Sequence, residues 1–181
     1  MAWNAKGLFV RVAVRDARFV HEEFVAKSRR NGNDCLQIGI DGYGDARNDG
    51  SDGVGQDDYE YAIFPSADGS GAVAWANRVA DRQITGNTKE HGNCLIPDIR
   101  AGFERKGDMC VYTAFIPKKR IYPGTVGPGA VVSMGITVFN ADDSRAPDAS
   151  RVKGGLSLTG ANGVGRPGGW TEFLLLATPR D

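Results

Sequence analysis

The chain has 181 residues, and its 22 Lys and Arg balance 22 Asp and Glu, so the formal net charge is zero. That balance argues against a broad nucleic-acid or anionic-membrane surface, which needs a net basic field. The 41% hydrophobic content is too high for a disordered chain, and no apolar run approaches the roughly 20 residues of a membrane helix. Glycine is in excess at 25 residues, which disfavours long helices and suits many turns. One all-β domain over residues 1–181 is the expectation.

Leu8 to Arg15 alternates, with Leu8, Val10, Val12 and Val14 on one face, the period of a half-buried strand. Ala17 to Arg30 is the best helical candidate, although Phe19, Val20, Phe24 and Val25 only half fit an apolar stripe. Asp34 to Asp41 alternates again through Leu36, Ile38 and Ile40. Gly42 to Gln56 then reads as a polar loop. Tyr59 to Phe64 is the next strand, and Ala72 to Trp75 a short extended run after the turn SADGSG. Asn87 to Asp98 is irregular. Ile99 to Arg105 and Met109 to Ile116, joined by KGD, read as a hairpin. A short helical turn is expected over Lys118 to Tyr122. Val131 to Phe139 is the longest apolar strand, with Val132, Met134, Ile136 and Val138 inward. Ala141 to Gly155 reads as polar loop. Phe173 to Ala177, apolar on both faces, reads as a central strand. The sum is an antiparallel β-sandwich with long loops.

Cys35, Cys94 and Cys110 are too few and too odd in number for a disulfide framework, and Cys35 and Cys110 sit inside strand-like runs as small buried residues do. Neither His21 nor His91 stands at zinc-finger spacing from a cysteine. No charged-then-apolar leader follows Met1, so any secretory signal is expected outside this chain.

Catalytic signatures are missing: there is no GxSxG elbow, no HExxH and no phosphate-binding GxxxxGK[ST]. Between Asp41 and Asp58 stand six aspartates, Asp41, Asp45, Asp49, Asp52, Asp57 and Asp58, interleaved with glycines. Such hard oxygen donors suit Ca²⁺, without the spacing of an EF-hand; a solvated loop is the alternative. Asp142 and Asp143 offer a further ligand or a turn. Three tryptophans, Trp3, Trp75 and Trp170, are each either packing residues or platforms for a ligand ring. Trp75 and Trp170 follow glycine-rich stretches, and loop positions are expected for both.

Six segments in order carry a resemblance. GLFVRVAVRD (Gly7 to Asp16), DCLQIGID (Asp34 to Asp41), DDYEYAIFP (Asp57 to Pro65), MCVYTAFIP (Met109 to Pro117), VSMGITVFNADD (Val132 to Asp143) and GGWTEFLLL (Gly168 to Leu176) resemble the strands of family-9 carbohydrate-binding modules. Gln37 stands where that pattern has Glu, and Lys118 where it has Trp. The family's opening strand is not found before Met1. The resemblance implies a non-catalytic β-sandwich with structural calcium. It would be an accessory module of a secreted or periplasmic polysaccharide-active protein, beside a glycoside hydrolase domain. It implies mono-, oligo- or polysaccharide binding on Trp75 and Trp170, with Asn77, Arg78, Asn162 and Arg166 reading hydroxyls. It implies calcium on Asp41, Asp57 and Asp58. Two alternatives stay open. One is a structural or partner-binding sandwich of a larger enzyme, without sugar binding. The other is a haem-binding cytochrome-type domain of the same superfamily, ligating iron through a Met such as Met109 or Met134 and through His21 or His91.

Overall fold

The alternating segments form strands that pair into two sheets. The structure, a computed structural model, describes residues 1–20, 33–44, 55–66, 70–80, 92–141, 152–157 and 170–176. The smaller sheet has the order β1 (Ala2–Asn4), β2 (Gly7–Arg15), β8 (Met109–Pro117) and β7 (Arg100–Lys106). The larger runs β10 (Val152–Ser157), β9 (Val131–Ala141), β3 (Cys35–Asp41), β4 (Tyr59–Pro65), β5 (Ala72–Arg78) and β6 (Cys94–Leu95). A further strand, β11 (Thr171–Leu174), also pairs with β9. Every pairing among these strands is antiparallel.

Alternation decides which side chains meet between the sheets. Leu8, Val10 and Val12 of β2 and Tyr112, Ala114 and Ile116 of β8 face Leu36, Ile38 and Ile40 of β3. Tyr61 and Ile63 of β4 and Met134 and Ile136 of β9 belong to the same core. Two tyrosines carry polar tips into it, and each hydroxyl finds a carbonyl. Tyr59 donates to Tyr122 O at 2.6 Å and Tyr61 to Arg120 O at 2.8 Å, which pins the 3-10 turn Lys118–Arg120 against the sheet. Arg120 in turn bonds Asp98 at 2.8 Å.

Asp34 closes another junction. Its backbone N–H donates to Val20 O at 3.0 Å, while its carboxylate accepts from the N–H groups of Val20 and Ala141. Three separate stretches of chain meet on this one buried side chain. Burial pushes its carboxyl up to about 7, and the nearby Asp16 adds to the rise against the two backbone donors.

The structure departs from the sequence reading at four places. Val152 to Gly155, the end of the stretch read as loop, belongs to strand β10 (Val152–Ser157). Its residues have weak strand propensity, and pairing with the long free edge of β9 orders them. Phe173 to Ala177, read as a central strand, overlaps only the end of the short β11, which pairs with β9 alone among the described residues; Ala177 lies outside them. Leu175 enters the core at 2% exposure while Leu174 is 58% and Leu176 70% exposed, so one side of the apolar run faces outward. The extended run at Ala72 continues to Arg78. A short β6 forms at Cys94–Leu95, inside the stretch read as irregular. The helix expected at Ala17 to Arg30 lies mostly outside the described residues. Cys35 and Cys110 are buried and free, as expected of strand thiols. No helix among the described residues is long and apolar enough to cross a membrane.

Candidate functional site

On β3, Cys35, Gln37, Gly39 and Asp41 point away from the core that takes Leu36, Ile38 and Ile40. The outer face of the larger sheet follows from the register. Trp75 lies opposite Ala62, Ala62 opposite Gln37, and Gln37 opposite Thr137. Trp75, Ala62, Phe64 and Cys35 form a second buried cluster on this face, with Val73 and Phe139 packed on it.

Trp170 joins the same face from the entry to β11. Gly39 and Gly135 are paired across β3 and β9, and the indole fills the space above them. A Cβ at Gly39 would stand 2.3 Å from the ring, and one at Gly135 2.5 Å from Nε1. Two facing glycines thus make a hollow for one indole. Its Nε1 is buried and has no hydrogen-bond partner among the described residues. Trp75 is in register with Gln37, two strands over and two residues along from Gly39, so the backbone at Trp75 stands roughly 12 Å from the Trp170 hollow.

Charged side chains lie between and beside them. A bulge in β5 places Ala76 opposite Tyr61 and Arg78 opposite Glu60, leaving Asn77 as the extra residue. Without it, Arg78 would lie on the opposite face from Trp75; with it, Arg78 and Glu60 share the face of the tryptophans. Glu60 also lies opposite Gly39, in the gap between Trp75 and Trp170. Burial raises the Glu60 carboxyl, and the Arg78 guanidinium partly offsets this. Glu60 and Gln37 are polar groups of this face that the sequence reading did not select; their even spacing with Ala62 and Gly39 is visible only once the register is known.

The acidic cluster lies at the end of the same strands. Ile40 pairs with Tyr59, so Asp41 after the one and Asp58 before the other become neighbours. Asp41, Asp57 and Asp58 are all buried and offer carboxylate oxygens within 4.8 Å of one another. Backbone donors orient them: Gly44 N–H to Asp41 at 2.6 Å, Tyr43 N–H to Asp57 at 2.6 Å, and Gly55 N–H to Asp58. Gly42 admits no side chain here, since a Cβ would lie 2.7 Å from Asp57 O and 2.8 Å from Pro123 Cδ. Burial pushes Asp58 up to about 7, with the charges of Asp41 and Asp57 adding to it and Gly55 and Arg78 opposing. Asp58 Oδ1 is buried without a hydrogen-bond partner. Three enclosed carboxylates with an orphan oxygen fit a hard divalent cation such as Ca²⁺.

Of the residues singled out from sequence, the structure gathers Trp75, Trp170 and Arg78 on one face, with Asn77 at its bulge, and Asp41, Asp57 and Asp58 in one cluster. Trp75 lies in a strand and not in a loop, because Ala72 to Arg78 pairs along β4. It is 5% exposed and Trp170 8%. Trp3 is a packing residue whose indole N–H bonds Leu176 O at 2.9 Å. Asn162, Arg166, Asp142, Asp143, His21 and His91 lie outside the described residues. Met134 is enclosed in the core and Met109 half-buried at the start of β8.

No protein-family profile and no curated protein matches the chain. Among solved structures it is similar to a family-9 carbohydrate-binding module from Caldicellulosiruptor kristjanssonii in complex with glucose. That match has a TM-score of 0.64 and 16% identity, and covers 99% of this chain and 75% of the other. It is also similar to a family-9 module from the same organism in complex with cellotriose, with a TM-score of 0.65, 14% identity, and coverage of 98% and 73%. The chain has the β-sandwich fold of these modules over nearly its whole length.

Proposed function

We propose that this chain, sharing the fold of modules crystallised with glucose and cellotriose, is a non-catalytic carbohydrate-binding module. Its ligand lies on the outer face of the larger sheet. The observation that carries the reading is the convergence of Trp75, Trp170, Glu60 and Arg78 on that one face. Indole edges offer apolar surface to the C–H groups of a sugar ring. Glu60 and Gln37 accept from hydroxyls, and Arg78 donates to them. Asn77, Asn162 and Arg166 are proposed as further readers. Calcium on Asp41, Asp57 and Asp58 holds the strand ends without touching sugar. The module belongs to a secreted or periplasmic polysaccharide-active protein that supplies the catalytic domain.

A second reading is a structural sandwich without sugar binding, and the burial of both tryptophans favours it. Tryptophan fluorescence titrated with glucose and cellotriose, in calcium, separates the two. A saturable shift that weakens in Trp75→Phe and Trp170→Phe supports the binding module. A flat response from folded, calcium-loaded protein selects the structural sandwich.

A further inference from the structure

The zero net charge conceals a strong separation. Residues 1–20 and 100–120, which build the four-stranded sheet and its margins, carry ten Lys and Arg against three Asp and Glu. The acidic cluster and Glu60 stand on the other sheet. Four of the ten basic residues stand on the sheet's solvent face. Across β2, β8 and β7, Phe9 lies beside Phe115 and Arg100. Arg11 lies beside Thr113 and Gly102, Ala13 beside Val111 and Glu104, and Arg15 beside Met109 and Lys106. Arg11, Arg15, Arg100 and Lys106 are exposed, and none of them forms an ion pair among the described residues. Glu104 is the one acid on this face among the described strands.

An aromatic pair lies among these cations. Phe9 and Phe115 pack with centroids 4.6 Å apart at 44°, and the Arg100 guanidinium sits 4.7 Å over the Phe115 ring. Phe9 remains 39% exposed. Phe9 leaves apolar ring surface open, and the face carries four cations against one acid. A ligand with both apolar ring surface and negative charge is complementary to both.

We propose that the outer face of the four-stranded sheet binds an acidic polysaccharide of uronate residues, as a surface separate from the tryptophan face. A uronate ring lays its C–H face on Phe9, and its carboxylates pair with Arg11, Arg15, Arg100 and Lys106. Guanidinium groups suit planar carboxylates because they bond them in bidentate fashion. The cation spacing argues against nucleic acid. Arg11 and Arg15 are four residues apart along β2, roughly 13 Å. That spacing is sparse, and uronate rings that carry a carboxylate each can meet it at intervals. Nucleic acid places a phosphate about every 3.4 Å of each strand and needs a denser basic track.

The test is binding of the full chain to oligogalacturonate, measured by calorimetry at low and moderate salt. Cellotriose, polyglutamate and oligothymidylate serve as comparison ligands. The expected result is binding to oligogalacturonate that is tighter than to polyglutamate or oligothymidylate and weakens with salt. The double variant Arg11→Gln/Arg100→Gln should lose about tenfold or more in affinity, and Phe9→Ser severalfold. Arg11 and Arg100 are on the surface, so the double variant keeps the parent's melting temperature; Phe9→Ser gives up its contact with Phe115 and melts a few degrees lower. Both stay folded and keep the cellotriose response. Failure of the tryptophan face would therefore appear separately, in the cellotriose arm. No binding to oligogalacturonate, or equal binding by the double variant, overturns the proposal. Equal affinity for polyglutamate or for oligothymidylate overturns it in favour of an acidic protein segment or a nucleic acid.

Discussion

Arg78 and Asp58 meet on the two sides of a single residue, Gly55: the Arg78 guanidinium donates to its carbonyl at 2.8 Å, and its N–H donates to the Asp58 carboxylate. One end of this bridge is in the acidic cluster and the other on the face of Trp75 and Glu60. Gly55 is also tightly enclosed, since a Cβ there would lie 3.0 Å from Asp57 Oδ1. Ordering of the cluster is thereby transmitted to the sheet face through main-chain geometry.

Calcium should therefore stabilise the fold. A ligand that binds only the native state at a hundred times its Kd adds about 2.7 kcal/mol. For a chain of this size that corresponds to roughly 5–10 °C in Tm. Chelation should lower Tm by that amount, read by circular dichroism. Asp58→Asn should abolish the calcium response, while its calcium-free form should match or exceed the parent, because it buries no third carboxylate. An unchanged Tm on chelation would remove calcium from the proposed function.

Calcium affinity should fall with acid. Asp58 in the metal-free fold holds its proton to about pH 7, because burial and the neighbouring Asp41 and Asp57 disfavour its charge. Binding requires that proton to leave. Calorimetry at pH 5.5, 6.5 and 7.5 should show affinity rising with each step, by up to about tenfold per unit below 7. Affinity independent of pH over this range would exclude Asp58 as a ligand.

Asp34 makes a separate prediction of the stability itself. Its carboxyl is raised to about 7, chiefly by burial and further by Asp16, while the unfolded chain releases the same proton near 4. Between these values the native state binds more protons than the unfolded state, so stability falls as pH rises. Urea unfolding of calcium-free protein from pH 4 to 7.5 should show this slope. Asp58 contributes in the same direction, so the comparison is with Asp34→Asn, whose slope should be shallower. That variant should also be less stable at every pH, by about 1–3 kcal/mol, because an amide satisfies only one of the two backbone donors.

The Trp170 hollow is testable by adding one methyl group. Gly39→Ala puts a Cβ into the indole and should cost about 1–3 kcal/mol, displacing the ring and weakening the glucose and cellotriose response. Gly71→Ala, where a Cβ meets nothing within 4 Å, is the matched control and should stay within about 0.5 kcal/mol of the parent. Equal stability of the two variants would show that Trp170 does not occupy the hollow.

The alternation of Leu8 to Arg15, Cys35 to Asp41 and Val131 onward carried both the strands and the identity of the core. A period of two is a local property, and burying one face of a sheet demands it. The KGD hairpin and the set of candidate aspartates were legible for the same reason: turn chemistry and donor type belong to residues near in sequence. Strand β10 was not legible, because Val-Lys-Gly-Gly-Leu-Ser has little propensity of its own and is ordered by the edge of β9. Nor did the apolar β11 reveal that it lies at an edge, since hydrophobicity alone does not say which strands flank it.

The sequence by itself determined a β-sandwich with alternating cores, a turn-rich chain and an acidic segment between two strands. Only the tertiary structure decided which groups act together. The pairing of Ile40 with Tyr59 brought Asp41 to Asp58, and the extra residue at Asn77 turned Arg78 onto the face of Trp75. Paired Gly39 and Gly135 received Trp170 from the entry to a distant strand, and among the described residues the four-stranded sheet and its margins took most of the basic side chains. Each of these depends on strand register between segments far apart in the chain. Register is set by the global packing of the two sheets, and no local pattern records it.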